Sequence, residues 1–365
     1  MDDARWMRAA IAIGRRGLGR VWPNPAVGCV IVNETGLIGR GWTQPGGRPH
    51  AEAMALAQAG EAARGATAYV SLEPCAHHGK TPPCADALAA AGVARVVSPM
   101  EDPDPRVAGR GFAALRAAGV IVETGLLTRE AEAANEGFLM RQRAGRPWVT
   151  LKLAATLDGR IATASGESRW ITGPAARART HLMRAAHDAV LVGAGTARAD
   201  DPMLDVRLTG LESRKPVRVV VDADLRLSPE CRLARSAETH PVWRLHGDAE
   251  TEDAAPQWGS ALAVRRLSDG GLDLADAMRR LGERGLTRVL CEGGGGLAAS
   301  LIAADLADEI VWMTAGGAMG AEGAPSIGPL DLPSLSAMKR YGLARSEALG
   351  GDFMSVWRRA ADLAG

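Results

Sequence analysis

With 365 residues, 47% of them hydrophobic and 23% charged, the chain has the make-up of a globular protein long enough for two domains of ~150 residues each. Its formal net charge of +1, with no run of five or more basic residues, speaks against a nucleic-acid ligand, which leaves a basic footprint on its partner. No apolar stretch approaches the ~20 residues that span a bilayer, so no membrane partner is expected.

The amino-terminal run MDDARWMRAAIAIGRRG starts with acidic residues and lacks the apolar core of a signal peptide. Trp6, Met7, Ala10, Ile11 and Ile13 have the spacing of an amphipathic helix. Residues 26–32 (AVGCVIV) read as a short strand, and Asn33-Glu34-Thr35-Gly36 as a hairpin turn into 37–41. His50 opens an alanine-rich helix to about Ala59. Residues 68–72 read as a buried strand delivering Glu73-Pro74-Cys75, and Cys84 begins another helix closed by Gly92. Strands at 95–98 and 120–123 alternate with a helix at 111–118. The expectation for residues 1–145 is a three-layer α/β domain. Two helix amino-termini meet beside one strand end, where their dipoles favour anionic thiolates.

His50, Cys75 and Cys84 carry the strongest chemical signal. Two thiolates and an imidazole suit Zn²⁺ better than Mg²⁺ or Ca²⁺, and three protein ligands leave a fourth position for water. Bound zinc brings the pKa of such a water to ~7. Glu52, two residues past His50, is placed to shuttle protons without ligating the metal. His-x-Glu followed by Pro-Cys is the arrangement of zinc nucleobase deaminases, although eight residues separate these cysteines rather than two. A closed structural zinc site is the alternative, with His77 or His78 as its fourth ligand. The five cysteines, Cys29, Cys75, Cys84, Cys231 and Cys291, form no disulfide framework and imply a reducing, cytoplasmic setting.

Ala144-Gly145-Arg146-Pro147 reads as a linker into a second domain, 146–365. Residues 149–155 form a strand followed by an Asp158-Gly159 turn, and Gly173-Pro174 introduces a helix to about Ala186. Strands follow at 189–192 and 217–221, then a helix at 272–284 and a strand at 288–291. That strand runs into Glu292 and four glycines. Backbone amides without intervening side chains, at the start of a helix, make either a phosphate cradle or a flexible turn. Without G-x-G-x-x-G, no Rossmann domain is expected.

In the first half, PNPAVGCVIV (23–32), HAE (50–52), LEPCAHHGKTPPC (72–84) and DPDPRVAGRG (102–111) resemble the deaminase domain of the bifunctional riboflavin-biosynthesis deaminase/reductase family. KLAATLDGRIA (152–162), SGESRWIT (165–172), GAGTARADDPMLDVR (193–207) and LCEGGGGL (290–297) resemble its reductase domain. The resemblance implies a cytidine-deaminase-like α/β/α domain joined to a dihydrofolate-reductase-like α/β domain that uses NADPH. It makes His50, Cys75 and Cys84 the zinc ligands and Glu52 the proton shuttle. Asn24, His77, Lys80 and Asp102 would meet the first substrate, with Lys80 suited to a phosphate. Ala154, Trp170, Thr196, Asp200, Ala223 and the segment Gly294, Gly295, Gly296, Leu297, Ala298, Ala299, Ser300 match cofactor contacts. Ser168, Arg184, Leu204, Arg207 and Glu292 match contacts to the second substrate.

Arg184 and Arg207 suit a substrate phosphate, and Lys152, Asp200 and Glu292 suit proton handling. The implied reactions are hydrolytic deamination of a diaminopyrimidinone ribotide and reduction of the resulting aminouracil ribotide by NADPH, in a homo-oligomer (dimer or tetramer). Thr43 stands where the family commonly has a histidine, and Asp104 where it often has asparagine. A reductase with a silent structural zinc domain, a nucleic-acid deaminase carrying an unrelated module, and a non-enzymatic scaffold are the rival expectations. Glu52 speaks against the first and the neutral charge against the second.

Overall fold

A computed structural model describes residues 2–76, 82–247 and 258–359. His77, His78 and Lys80 lie outside the described residues. The chain divides into two compact units, Met1–Gly145 and Arg146–Gly365.

The first unit contains α1 (Asp3–Gly14), β1 (Gly28–Asn33), β2 (Gly36–Trp42), α2 (Ala51–Ala59), β3 (Thr67–Val70), α3 (Cys84–Ala90), β4 (Arg95–Ser98), α4 (Arg110–Ala117), β5 (Ile121–Thr124) and α5 (Thr128–Ala144). Its sheet order is β2-β1-β3-β4-β5, with β1 antiparallel to β2 and β3, and the rest parallel. Strand alternation sorts the side chains into two cores. Cys29 and Ile31 of β1 face Ala51 and Ala55 of α2, Leu88 of α3 and Leu115 of α4. Val30 and Val32 face Met7 and Ile11 of α1 and Ala131 and Ala134 of α5. The three-layer α/β/α arrangement follows from that period of two. The β1–β2 turn is fixed by Asn33 Oδ1, which accepts from Thr35 N (2.9 Å) and Thr35 Oγ1 (2.7 Å).

The second unit contains β6 (Trp148–Ala155), β7 (Arg160–Ala162), α6 (Pro174–Ala185), β8 (Ala189–Gly193), α7 (Ala194–Asp200), β9 (Val217–Val221), α8 (Arg232–Arg235), β10 (Val242–Gly247), β11 (Ser260–Val264), α9 (Leu274–Glu283), β12 (Arg288–Cys291), α10 (Gly295–Ala303), β13 (Glu309–Thr314), β14 (Ala324–Pro325), β15 (Tyr341–Leu349) and β16 (Asp352–Arg359). A nine-stranded sheet runs β11-β10-β9-β8-β12-β6-β13-β16-β15. It is parallel from β11 to β13, and its last two pairings are antiparallel. The central strands are largely apolar, as expected of a sheet covered on both faces, with Lys152, Arg218 and Arg288 among the exceptions. Val190, Val192, Val220 and Leu233 form one core, while Val311, Met313, Met354 and Val356 form another. In this sheet β12 lies between β8 and β6, so their carboxyl ends open side by side, where parallel α/β sheets place their ligands. No helix among the described residues is long and apolar enough to cross a membrane.

Candidate active sites and metal centre

The hairpin β1–β2 leads through the 43–50 segment to α2, whose N-cap residue is His50. β3 leads to Cys75, and α3 begins at Cys84. His50 Nδ1 stands 3.5 Å from Cys75 Sγ and 3.4 Å from Cys84 Sγ. A tetrahedral zinc with ordinary Zn–S and Zn–N lengths places neighbouring sulfur and nitrogen donors ~3.6 Å apart, so the set fits that ion without rearrangement. Cys84 N–H donates to Cys75 Sγ (3.4 Å), orienting one ligand from the backbone of the other. A hydrogen bond from Cys84, then one from His50, lowers the Cys75 thiol to about 4, while Cys84 is pushed far up as the member of the pair that keeps the proton. A dication held by His50, Cys75 and Cys84 would take the place of that proton.

Glu52 lies on the first turn of α2 and is 3% exposed. Burial, followed by the charge of Cys75, raises its carboxyl to about 7. It lines a cavity of about 300 Å³ with His50, Cys75, Asn24, Thr43, Glu73, Asp102 and Asp104. The structure therefore brings together the metal ligands, Glu52, Asn24 and Asp102. Burial, with the charges of Asp104 and Glu73 adding to it, raises Asp102 to about 6. Thr43 is buried, and its Oγ1 accepts from Val27 N (3.0 Å), bracing the end of β2 against the start of β1. Asp104 binds the backbone N–H and the guanidinium of Arg106. The sequence reading missed Glu73, although its place in LEPC beside a metal ligand was a signal.

In the second unit, the β6–β12 register pairs Leu151 with Cys291, so the next positions, Lys152 and Glu292, are neighbours at the carboxyl edge. A cavity of about 590 Å³ is lined by Lys152, Ala154, Ser168, Trp170, Arg184, Asp200, Arg207 and Glu292. Burial pulls the Lys152 ammonium below its ordinary pKa, with Glu292 opposing and Arg184 adding to the fall. Burial works against ionisation of Glu292, yet Arg184 and Lys152 hold its carboxyl below the usual range. His181, Thr172 and Arg177 also line this cavity and were missed. Arg207 N–H donates to His181 Nδ1 (3.2 Å), and burial lowers that imidazole's pKa.

Arg184, which lines the same cavity, is held by three hydrogen bonds. Its Nε and Nη2 donate to the two oxygens of Glu292 at 2.6 and 2.9 Å, and Nη1 donates to the Asp205 carbonyl at 2.9 Å. The paired bonds orient Glu292, and two of the five guanidinium N–H groups lie beyond these three bonds, on the side chain that lines the cavity. Arg207, with a 59% exposed side chain, lines the same cavity and pairs through Nε with Asp205 Oδ1 at 3.4 Å. Leu204 is buried in the core at φ 52°, so only its backbone is available to a ligand. Ala223 is not among the cavity-lining residues, and its carbonyl accepts from Gly247 N and Arg266 Nη2. Thr196 Oγ1 accepts from Gly294 N (3.0 Å), joining α7 to the glycine run. Ala298 and Ala299 are buried, and Ser300 Oγ donates to the Gly296 carbonyl (3.0 Å). The amides of the first turn of α10 have no intrahelical acceptor. A Cβ on Gly295 would strike the Pro325 carbonyl at 2.5 Å, so close backbone approach, rather than flexibility, requires glycine there. The donor set fits a phosphorylated dinucleotide.

Comparison with known proteins agrees with both sites. The RibD C-terminal domain model matches residues 147–355, and the cytidine and deoxycytidylate deaminase zinc-binding region matches residues 1–100. Riboflavin biosynthesis protein RibD of Escherichia coli (strain K12) is 45% identical over 324 residues, covering 85% of this chain and 87% of that protein. The structure of Acinetobacter baumannii RibD superimposes with a TM-score of 0.87 at 38% identity, covering 98% of each chain. A diaminohydroxyphosphoribosylaminopyrimidine deaminase/5-amino-6-(5-phosphoribosylamino)uracil reductase from Thermotoga maritima gives 0.86 at 35% identity, covering 98% of this chain and 99% of that one. On the strength of these matches over both units, the chain belongs to the bifunctional riboflavin-biosynthesis deaminase/reductase family.

Proposed function

We propose that the first unit hydrolytically deaminates 2,5-diamino-6-ribosylamino-4(3H)-pyrimidinone 5′-phosphate. The second unit then reduces 5-amino-6-(5-phosphoribosylamino)uracil to 5-amino-6-(5-phosphoribitylamino)uracil with NADPH. The observation that carries this reading is the joining of a three-ligand metal set to a buried carboxyl, Glu52, that lines the same cavity. A purely structural site has no use for that carboxyl, which disfavours a reductase with a silent zinc domain.

His50 Nδ1 and the sulfurs of Cys75 and Cys84 would hold zinc, which when bound supplies the Lewis acidity that lets water attack at neutral pH. Glu52 takes the proton from the attacking water and delivers it to the departing amine, a role suited to a group poised near the working pH. Asn24 and the Asp102 carboxylate hold the base against that centre. His77 and Lys80 remain assigned to the same substrate, with Lys80 on its phosphate. In the second unit, Arg207 receives the ribotide phosphate, and Ser168 and the Leu204 backbone hold the sugar. Ala154, Trp170, Asp200, Thr196 and the Gly294–Leu297 turn seat the cofactor, which when bound supplies the hydride. Lys152 Nζ donates a proton to the ribose oxygen as its carbon is reduced, and Glu292, held by Arg184, keeps that ammonium in place.

The reading includes a small-molecule pyrimidine ribotide as partner, with neither nucleic acid nor membrane. It also includes a homo-oligomer, dimer or tetramer, and a cytoplasmic location, which the five unpaired thiols support. Mass spectrometry of products from zinc-loaded protein tests the reading. Replacement of the ring amine by oxygen without NADPH, then conversion to the ribityl product once NADPH is added, is expected. An amine retained in every product, with reduction only of supplied aminouracil, would leave the reductase-only alternative.

A further inference from the structure

Glu73 is 3% exposed and lies two residues before a metal ligand, yet it neither ligates nor forms an ion pair among the described residues. Its carboxylate gathers four backbone N–H groups from one distant segment. Oε2 accepts from Asp102 N (3.0 Å) and Gly109 N (2.9 Å), and Oε1 from Gly111 N (2.9 Å) and Phe112 N (3.2 Å). The chain between these points is held by a relay of short-range bonds. Asp102 Oδ1 accepts from Asp104 N at 2.9 Å, and Asp104 Oδ1 from Arg106 N at 2.9 Å. Helix α4 is pressed so closely on the same segment that a Cβ on Gly111 would lie 1.9 Å from the Pro74 carbonyl.

From this geometry we propose that Glu73 is a positioning residue of the deaminase centre, fixing the wall that carries Asp102 and Asp104 at a set distance from His50, Cys75 and Glu52. The proposal rests on the deaminase reading above and adds what sets the shape of its base pocket. Glu73 and Cys75, two positions apart in one segment, line one cavity together with the residues at 102, 104 and 106. One segment thus orients both a metal ligand and the surface that receives the pyrimidine. Only a carboxylate suits the position. An amide offers one acceptor oxygen, and its NH₂ end would face two N–H donors, leaving two buried donors unpaired. The loosened wall weakens binding of the base in ground and transition states alike, which raises KM more than it lowers kcat.

The test is Glu73→Gln in the full, zinc-loaded chain, with zinc content and the aminouracil reductase rate measured on the same sample. Unchanged zinc content and reductase rate are expected, with a deaminase KM raised about tenfold or more and kcat within about threefold of the parent. Asp102→Asn alone raises KM as well, and the double variant is expected to be no worse than Asp102→Asn, because both act through one wall. A parent-like KM for Glu73→Gln, loss of zinc, or multiplicative effects in the double variant would each overturn the positioning role. Hydrogen exchange in the parent provides a check independent of any variant. The loop amides of Asp102 and Gly109 are expected to be protected together with those of Gly111 and Phe112; exchange of the first two at unprotected rates would refute the clamp. If the parent itself releases no ammonia, the deaminase reading fails and the proposal with it. An active parent with an indifferent Glu73 overturns the proposal alone.

Discussion

The Arg184–Glu292 pair gives the sharpest energetic prediction for the second unit. The two side chains are 11% and 10% exposed and joined by parallel bonds of 2.6 and 2.9 Å. Replacing Glu292 by leucine leaves a buried guanidinium that still donates to the Asp205 carbonyl but has lost its counter-charge. Replacing Arg184 by methionine leaves a buried carboxylate beside Lys152. Removing one partner of such a pair costs on the order of 3–5 kcal/mol, because the desolvated charge stays behind. Replacing both by apolar groups removes both uncompensated charges, so Arg184→Met/Glu292→Leu should lie within about 2 kcal/mol of the parent. Reductase activity should fall in all three variants. Hydrogen exchange in increasing urea, read on peptides from α6 and β12 with β1–β2 peptides as control, measures the loss in the affected unit. A double variant destabilised by the sum of the single losses would refute the pairing argument.

Glu52→Ala should retain zinc and reductase activity while ammonia release falls by about 10²–10⁴-fold; deamination at the parent rate would remove Glu52 from the proton path. Asp102, raised to about 6 by burial, favours the folded state as the neutral acid. Its contribution is fully present below pH ~4 and is lost as pH rises through about 6, on the order of 3 kcal/mol over that window. The stability difference between the parent and Asp102→Asn, followed by denaturation from pH 4 to 7, should therefore shift against the parent; a flat difference would contradict the burial argument. Gly295→Ala places a methyl 2.5 Å from the Pro325 carbonyl and should raise the NADPH KM about tenfold without altering ammonia release. An unchanged KM would mean that the turn does not seat the cofactor.

The zinc set was legible in the sequence because ligand chemistry confines it to a few residue types at short spacings. The strands around it were legible because β1, β3 and β4 each centre on a short apolar, largely β-branched or aromatic stretch. Helix α5 was missed: its buried residues Ala131, Ala134, Asn135, Glu136, Gly137, Phe138 and Leu139 mix small and polar groups with only two large apolar ones, which blurs the helical period. It matters because Asn135 Oδ1 accepts from Ala26 N (3.0 Å), bracing the strand that follows the Pro-Asn-Pro turn. The β15–β16 hairpin was missed because β15 exposes most of its side chains and shows no alternation. The pairing of Arg184 with Glu292 could not be read from sequence. Glu292 is 108 positions away from Arg184, and only the β8-β12-β6 strand order brings it opposite α6. The glycine run stayed ambiguous until Pro325 was found against Gly295.

The most direct test follows ammonia and nicotinamide absorbance together, on one protein sample supplied with the diaminopyrimidinone ribotide, before and after a zinc chelator. The account predicts ammonia release without NADPH and NADPH oxidation once it is added. After chelation, ammonia release should stop while reduction of supplied aminouracil continues. Ammonia release that survives complete zinc removal, or its absence from the zinc-loaded parent, would contradict it.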